Sequence, residues 1–158
     1  MATGEKSAAA GVEVRPIPEG FHAVTPHLTV PGVANLIDFL KHAFDATEID
    51  RFAGPDGSVM HAQVRIGDSI VMMGDPPPQF GPKPCNLYLY VENVDEVYQR
   101  ALDAGATSVR PVENQFYGDR SGGVQDPCGN QWWIATHVED VTPEELQRRM
   151  AALKPGQH

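Results

Sequence analysis

Cysteine and basic side chains are both scarce in this sequence. Cys85 and Cys128 are the two cysteines among 158 residues, and neither has a second cysteine at the spacing of a metal site or a disulfide framework. The 12 basic side chains face 21 acidic ones, and a formal charge of −9 repels phosphate backbones and anionic lipids. No run approaches the roughly 18 apolar residues that span a bilayer, and the first residues lack the apolar segment of a signal peptide. We therefore expect a cytoplasmic protein that binds neither nucleic acid nor membrane.

The remaining composition is that of one ordinary globular domain. Hydrophobic residues make up 41% of the chain and charged residues 21%, both close to the averages of folded proteins. A chain of this length buries about 70% of the surface that its unfolded form exposes, which is enough for a real core. The acidic charge would favour a cationic ligand, although an acidic surface that keeps the protein soluble is the simpler explanation.

Residues 21–75 carry the pattern of a βαβββ module. An alternating strand within 21–30 is followed by apolar side chains that recur at helical spacing from Val33 to Phe44. Three more strands are predicted, separated by glycine turns, at residues 47–52, 60–66 and 69–73. On the middle one, alternation predicts Met60 on the covered face together with Ala62, Val64 and Ile66.

The same order returns about 60 residues later, in residues 86–140, which indicates an internal repeat. Its third element is predicted as a short strand at 106–109, followed by a connector at 110–119. Five prolines in and around residues 76–85 predict a linker between the modules. Residues 1–20 are expected to form a flexible tail, and residues 141–158 a C-terminal helix and tail that begins with a capping box at Thr142.

These patterns predict an α+β fold in which two βαβββ modules form a cup-shaped mixed sheet, with a helix at the C-terminus. Each module's helix must cover one face of its sheet, so alternate strand residues point to the open face. Alternation places there Thr25, His27, Thr29, His61, Gln63, Arg65, Asn86, Tyr88, Tyr90, Gln131, Trp133, Ala135 and His137. A solvated face seldom combines Trp, Tyr and His so densely, which favours a ligand-binding surface over exposed sheet.

Several motifs resemble those of the vicinal oxygen chelate superfamily, which includes glyoxalase I, bleomycin-resistance proteins and extradiol dioxygenases. They are Pro26-His27-Leu28, the run from Met60 to Ile66, Gly118-Asp119-Arg120 and Asp126-Pro127-Cys128-Gly129-Asn130. The resemblance covers roughly residues 21–148 and is strongest for the uncharacterised PhnB-type branch. It implies a cup that holds a small molecule and a homodimer, but no particular reaction, because this fold hosts isomerases, lyases, oxygenases and drug binders.

Metal-dependent members of that superfamily hold a divalent cation through four His, Glu or Gln side chains. The strand motifs put the corresponding positions here near Thr25, within residues 71–73, at Asn86 and at Trp133. None of these is a good ligand for zinc, iron or manganese. The resemblance therefore predicts that the usual four-ligand metal site is missing. No cofactor is predicted, and a divalent metal held by other residues stays the alternative.

His27 and His61 are the candidate catalytic residues. They fall on the same open face of different strands, where one could act as a base near neutral pH, or both could bind a metal. Hydrogen bonding within the pocket is the alternative for each. No carboxylate clearly converges on them in the sequence pattern, so metal ligation is the less favoured use.

The candidate ligand-binding residues are Gln63, Arg65, Tyr88, Tyr90, Tyr117, Asp119, Arg120 and Trp133. Trp132 and Trp133 point to opposite faces, and parity makes Trp133 the stacking surface for an aromatic or cationic ligand. Asp119 and Arg120 either bind a polar ligand group or form a surface ion pair. His137 is expected just past the last strand, where it would cap or orient the segment that follows.

Three functions remain open on this basis. The leading hypothesis is a glyoxalase-like protein that binds a small aromatic or cationic molecule without the usual four-ligand metal site. The second is a metal-dependent lyase or isomerase of glyoxalase type that uses His27 and His61. The third is a non-catalytic interaction module. The sequence leaves open which ligand is bound and whether the protein is an enzyme.

Overall fold

Eight strands and three helices form along residues 13–153, the part of the chain that the computed structural model describes. They are β1 His27–Thr29, α1 Val33–Phe44, β2 Thr47–Ala53, β3 Val59–Ile66, β4 Ser69–Gly74, β5 Asn86–Tyr90, α2 Val94–Asp103, β6 Thr107–Asn114, β7 Asp119–Gln125, β8 Gln131–His137 and α3 Pro143–Ala151. Of the tail predicted at residues 1–20, residues 1–12 lie outside the described residues. Residues 13–20 contain neither helix nor strand. The predicted C-terminal tail lies outside them from residue 154.

The strands form two four-stranded sheets with the same arrangement, ordered β1-β4-β3-β2 and β5-β8-β7-β6. In each sheet the first strand of the module pairs in parallel with the last, and the other pairings are antiparallel. This is the βαβββ order twice, so the predicted α+β class is confirmed. Within the described residues the sheets remain separate, and the isolated bridge between Thr29 and Lys83 joins β1 to the segment before β5.

One hydrophobic core connects the two modules. The apolar stripe of α1 is buried along its whole length against the first sheet, as its helical spacing predicts. At the end of that helix the Phe44 ring packs 4.9 Å from the ring of Trp132 on β8, which belongs to the other module. Arg100 of α2 also bonds to Asp45, 2.6 Å away, at the C-terminal cap of α1. The helices therefore lie at the junction of the modules, and the face of each sheet away from its helix stays open.

Met60 lies on the opposite face from the one that alternation predicts. Phe52 of β2 pairs with His61, but Ala53 pairs with Val59, so Met60 is the extra residue of a β-bulge. Its side chain is 67% exposed, and Val59 takes the buried position instead. The carboxylate of Asp75 fixes this change by accepting the Val59 N–H at 2.6 Å. The prediction for Met60 was wrong because one inserted residue reverses the parity of a strand.

The C-terminal helix begins where its capping box predicts. The Thr142 hydroxyl accepts the backbone N–H of Glu145 at 3.2 Å, and Pro143 occupies the first turn, where its missing N–H costs nothing. Arg149 ties the helix to the body of the protein through Glu139 and the Phe116 carbonyl. No helix within residues 13–153 has the length and apolar character needed to cross a membrane.

Candidate functional site

The open face of the second sheet brings together residues from all four of its strands. Tyr88 of β5 pairs in register with Trp133 of β8, and Trp133 with Gly123 of β7. Gly123 pairs in turn with Arg110 of β6. Directly opposed residues share a face, so these four positions form one row across the sheet. Tyr90 starts the next row, and its ring centroid lies 5.2 Å from that of Tyr88.

We call Tyr88, Tyr90 and Trp133 the aromatic platform. The alternation predicted for β8 is correct, because Trp132 is buried and Trp133 lies on the open face. Tyr88 and Tyr90 remain 45% and 60% exposed, so a large part of each ring is accessible. The platform therefore offers two neighbouring ring faces and an indole within one sheet surface.

A buried carboxylate fixes the tyrosines of the platform. Asp119 is only 4% exposed, and its Oδ2 accepts the hydroxyls of Tyr88 and Tyr90 at 2.8 Å and 2.9 Å. Its Oδ1 lies 2.8 Å from Nδ1 of His137, whose Nε2 lies 2.7 Å from Asp140. Both ring nitrogens of His137 face carboxylate oxygens, an arrangement that favours the doubly protonated, cationic ring. We call Asp119, Tyr88, Tyr90 and His137 the Asp119 network.

Hydrogen bonds within the Asp119 network shift the pKa values of Asp119 and His137 in opposite directions. Burial alone would raise the pKa of Asp119, but the hydrogen bonds from His137 and the two tyrosines outweigh it and lower the pKa below its usual value. Hydrogen bonds to Asp140 and then to Asp119 raise the pKa of His137. Both shifts favour the ion pair of a carboxylate with a protonated imidazole.

The two tyrosines stay protonated throughout the physiological range. Burial, followed by the neighbouring Tyr117 and Asp119, raises the pKa of Tyr88. The hydrogen bond to Asp119 is the main cause that raises the pKa of Tyr90. Both hydroxyls are therefore committed as donors to Asp119, and what the tyrosines can offer a ligand is their ring faces.

The charged form of His137 makes stability depend on pH. Because its folded pKa is raised, its contribution is fully present below the ordinary histidine value of about 6.5 and is lost as pH rises through the raised value. We expect the stability difference between the native protein and His137→Gln to be largest near pH 6 and to shrink towards pH 9. Urea unfolding at a series of pH values measures it. A difference that stays constant over that range would contradict a charged His137.

The guanidinium of Arg110 covers the ring of Trp133, the third member of the aromatic platform. Its guanidinium carbon lies 4.8 Å from the centroid of the Trp133 ring, and its Nη2 donates to the Ser121 hydroxyl at 2.9 Å. The indole N–H of Trp133 donates to Asn86 at 2.7 Å. A Cβ at Gly123 would lie 2.5 Å from the Trp133 ring, so only glycine leaves space for the indole to lie across β7.

Arg110 was missed by the sequence analysis, which ended the strand at residue 109. β6 continues to Asn114 through Pro111, which the sheet tolerates because β6 is an edge strand. A bulge at Val109 then reverses the parity, so Ser108 faces α2 and Arg110 faces the open side. A proline and a bulge in one strand leave no alternation signal that would have found Arg110.

The candidate catalytic histidines lie together on the open face of the first sheet. The ring centroids of His27 and His61 are 6.1 Å apart, and Gln63 lies within 3.3 Å of His61. Burial, with a smaller contribution from the neighbouring His61, lowers the pKa of His27, so His27 is neutral at pH 7. Across residues 13–153, no group of three or more His, Cys, Asp or Glu side chains is arranged to hold a metal.

The other predicted residues fall into three places. Arg65 is exposed and lines a cleft of about 610 Å³ between the modules, where Tyr90 lies on the opposite wall. Tyr117 lies in the turn before β7, with its ring edge against Phe116. Arg120 points to the helix side of β7 and pairs with Asp95 of α2 at 2.8 Å. The structure therefore separates Arg120 from Asp119, although the two are adjacent in sequence.

Comparisons with known proteins agree with the fold. Residues 20–134 match the family model described as Glyoxalase/Bleomycin resistance protein/Dioxygenase superfamily. An uncharacterised protein of Mycobacterium bovis is 41% identical over 145 residues, which cover 85% of this chain and 95% of that protein. A Mycobacterium tuberculosis protein, also uncharacterised, is 41% identical over 85% of each chain.

Two solved structures share this architecture. TioX from Micromonospora sp. ML1 is 26% identical, with a TM-score of 0.59 over 73% of this chain and 96% of that one. The Bacillus cereus PhnB protein, described as a putative 3-demethylubiquinone-9 3-methyltransferase, is 20% identical, with a TM-score of 0.59 over 73% and 99%. The resemblance identified in the sequence is confirmed: the chain belongs to the glyoxalase/bleomycin resistance protein/dioxygenase superfamily.

Proposed function

We propose that the protein binds a small molecule with a planar aromatic group on the open face of the second sheet, without the four-ligand metal site of its metal-dependent relatives. The observation that carries the proposal is the aromatic platform. The hydroxyls of Tyr88 and Tyr90 donate to Asp119, while their rings remain partly exposed. Rings that are locked in place lose little entropy when a flat ligand stacks on them.

Of the two ligand classes that the sequence suggests, the geometry favours the aromatic one. An organic cation would bind best over the Trp133 ring, which is the strongest cation-binding face of the three. That face is already covered by the guanidinium of Arg110. A neutral ring can stack on the exposed tyrosines without displacing it.

The residues at the family's metal positions do not fit a divalent cation. Indole is no metal ligand, and the Trp133 N–H donates to the Asn86 amide oxygen, the side-chain oxygen at the neighbouring metal position. Thr25 bonds through its hydroxyl to the backbone carbonyl of His22. The proposed binding therefore uses stacking and hydrogen bonds from the chain's own side chains.

Replacing Tyr90, the more exposed ring of the platform, with leucine tests this site. We expect the affinity for 2-naphthamide, a neutral planar probe, to fall at least about tenfold, because one stacking contact and its buried area are worth roughly 1.4 kcal/mol or more. Isothermal titration calorimetry measures the affinity. Phe80→Leu is the matched control, since Phe80 is an exposed ring outside both sheets. Failure of 2-naphthamide to bind the native protein, or equal binding to the Tyr90 variant, would reject the proposal.

A lyase or isomerase of glyoxalase type is the second candidate. It is favoured by the proximity of His27 and His61 on the first sheet and by the neutral state of His27, which a base or a metal ligand requires. Elemental analysis of the purified protein separates it from the first proposal. A divalent metal at one equivalent per chain that is lost in His61→Ala would replace metal-free binding with this candidate.

A further inference from the structure

We propose that Arg110 is an anion-binding residue and that the ligand of the aromatic platform is an aromatic carboxylate. The inference rests on the proposed function and narrows it to a substrate class. The geometry that points to it is a guanidinium held beside the platform, stacked on Trp133, with hydrogen-bond donors that nothing in the described chain accepts.

Arg110 lacks the partner that arginines in such positions normally have. It makes one side-chain hydrogen bond, to Ser121, and its Nε is buried without an acceptor among the described residues. No carboxylate of residues 13–153 forms an ion pair with it, whereas Arg100, Arg120 and Arg149 each pair with an aspartate or glutamate. A guanidinium presents five donors in a fixed fork that matches a carboxylate bidentately. An uncompensated fork of this kind is suited to a carboxylate supplied by a ligand.

The packing of Arg110 prepares it for that contact. The Trp133 ring lies against the guanidinium, and the Ser121 hydroxyl holds its Nη2 by a hydrogen bond. A planar, pre-oriented fork loses little side-chain entropy when it binds a carboxylate. Because Nε is closed to solvent and Nη2 already donates to Ser121, the end of the guanidinium that carries Nη1 and the second Nη2 hydrogen is the part that would meet a carboxylate.

The buried carboxylate nearest the platform is held by its own donors. Asp119 is buried, and both of its oxygens are occupied by Tyr88, Tyr90 and the imidazolium of His137. Asp119 therefore has no oxygen left to face a ligand. Arg110 is the charged residue of the row formed with Tyr88, Trp133 and Gly123, and Glu113, paired with Ser121, lies in the neighbouring row of the same face.

The dimensions of the row match a ring with a carboxylate at one end. Tyr88 and Arg110 are three strands apart, which is about 14 Å at the usual spacing of 4.8 Å. A carboxylate at Arg110 would then place the aromatic part over the platform.

Three matched probes test the charge of the ligand. They are 2-naphthoate, 2-naphthamide and 2-naphthylmethylamine, which share one ring system and differ in charge. In calorimetric titrations of the full chain we expect 2-naphthoate to bind at least tenfold more tightly than the amide, and the amine to bind most weakly. In Arg110→Met the preference for 2-naphthoate should disappear while 2-naphthamide changes less than threefold. Arg110→Lys keeps the charge without the fork and should retain an intermediate preference. Arg148→Met, exposed on α3, is the control.

The outcomes separate the inference from the proposed function. Equal binding of naphthoate and naphthamide to the native protein, or an unchanged preference in a folded Arg110→Met, overturns the anionic ligand and leaves the aromatic site standing. Tighter binding of the amine overturns it in favour of a cationic ligand. If none of the three probes binds, both proposals fail. The comparison within the native protein decides the question even where the methionine variant does not fold.

Discussion

Asp119→Asn is expected to lower the free energy of unfolding by about 2–3 kcal/mol, because it removes an ionised acceptor from three donors at once. The asparagine amide has one oxygen where Asp119 uses two, so its NH₂ group would face either the tyrosine hydroxyls or the imidazolium of His137. Facing His137, the NH₂ group places donor against donor; facing the tyrosines, it forces their hydroxyls to turn and accept, so they lose their charged acceptor in a site that is almost closed to water. The platform should lose its rigidity together with the stability.

Urea unfolding followed by fluorescence measures this change, with Asp95→Asn as the control. Asp95 is an exposed aspartate that pairs with Arg120 at the surface, and its loss should leave the unfolding midpoint nearly unchanged. In the Asp119 variant, 2-naphthamide should also bind more weakly, since the tyrosine rings are no longer fixed. Equal midpoints for the two variants would show that the network contributes nothing to folding.

Gly118→Ala is expected to be at least as damaging, with a loss of about 3–5 kcal/mol. Gly118 has a φ of 101°, which is strained for any residue with a side chain. An alanine Cβ would also collide with the Glu139 carbonyl oxygen. That contact cannot relax freely, because the Gly118 carbonyl accepts the backbone N–H groups of Val138 and Glu139 at 2.9 Å and 3.1 Å. These bonds hold the segment between His137 and Asp140.

Gly57→Ala separates the two causes. Gly57 has a similar φ of 82°, but nothing lies within 4 Å of an added Cβ. It should therefore cost only the backbone strain of about 1 kcal/mol. Chemical denaturation of both variants gives the comparison. If both substitutions lower the free energy of unfolding equally, the close approach of Glu139 to Gly118 does not contribute to the loss.

The sequence located the platform but could not assemble the network around it. Alternation along β5 and β8 was enough to place Tyr88, Tyr90 and Trp133 on one face, because those strands are regular. Asp119 was chosen as a ligand group, yet its partner proved to be His137, which the sequence analysis placed past the end of the last strand. β8 includes His137 and pairs it with Asp119 across the sheet. Such a pairing depends on strand ends and register, which local patterns define poorly.

The failures share one physical cause. A bulge at Met60 reversed the alternation of β3, so the exposure of the Met60 side chain was not predicted. Another at Val109 reversed the alternation of β6, so Arg110 was not placed on the open face. Arg120 shows the converse, since simple alternation from Asp119 sends it to α2 and Asp95. Adjacent residues on a strand serve opposite faces, so adjacency in sequence is no evidence of a shared site.

The sequence by itself determined the fold class, the repeat of the βαβββ order, the superfamily and the residues of the aromatic platform. Each follows from periodic burial and local motifs, which every short segment carries independently of the rest of the chain. Only the tertiary structure decided that Asp119 closes a network with His137 and that Arg110 lies over Trp133 without an acidic partner among residues 13–153. Those contacts join residues that are 18 and 23 positions apart, through the register and bulges of paired strands, and no single segment encodes such a pairing.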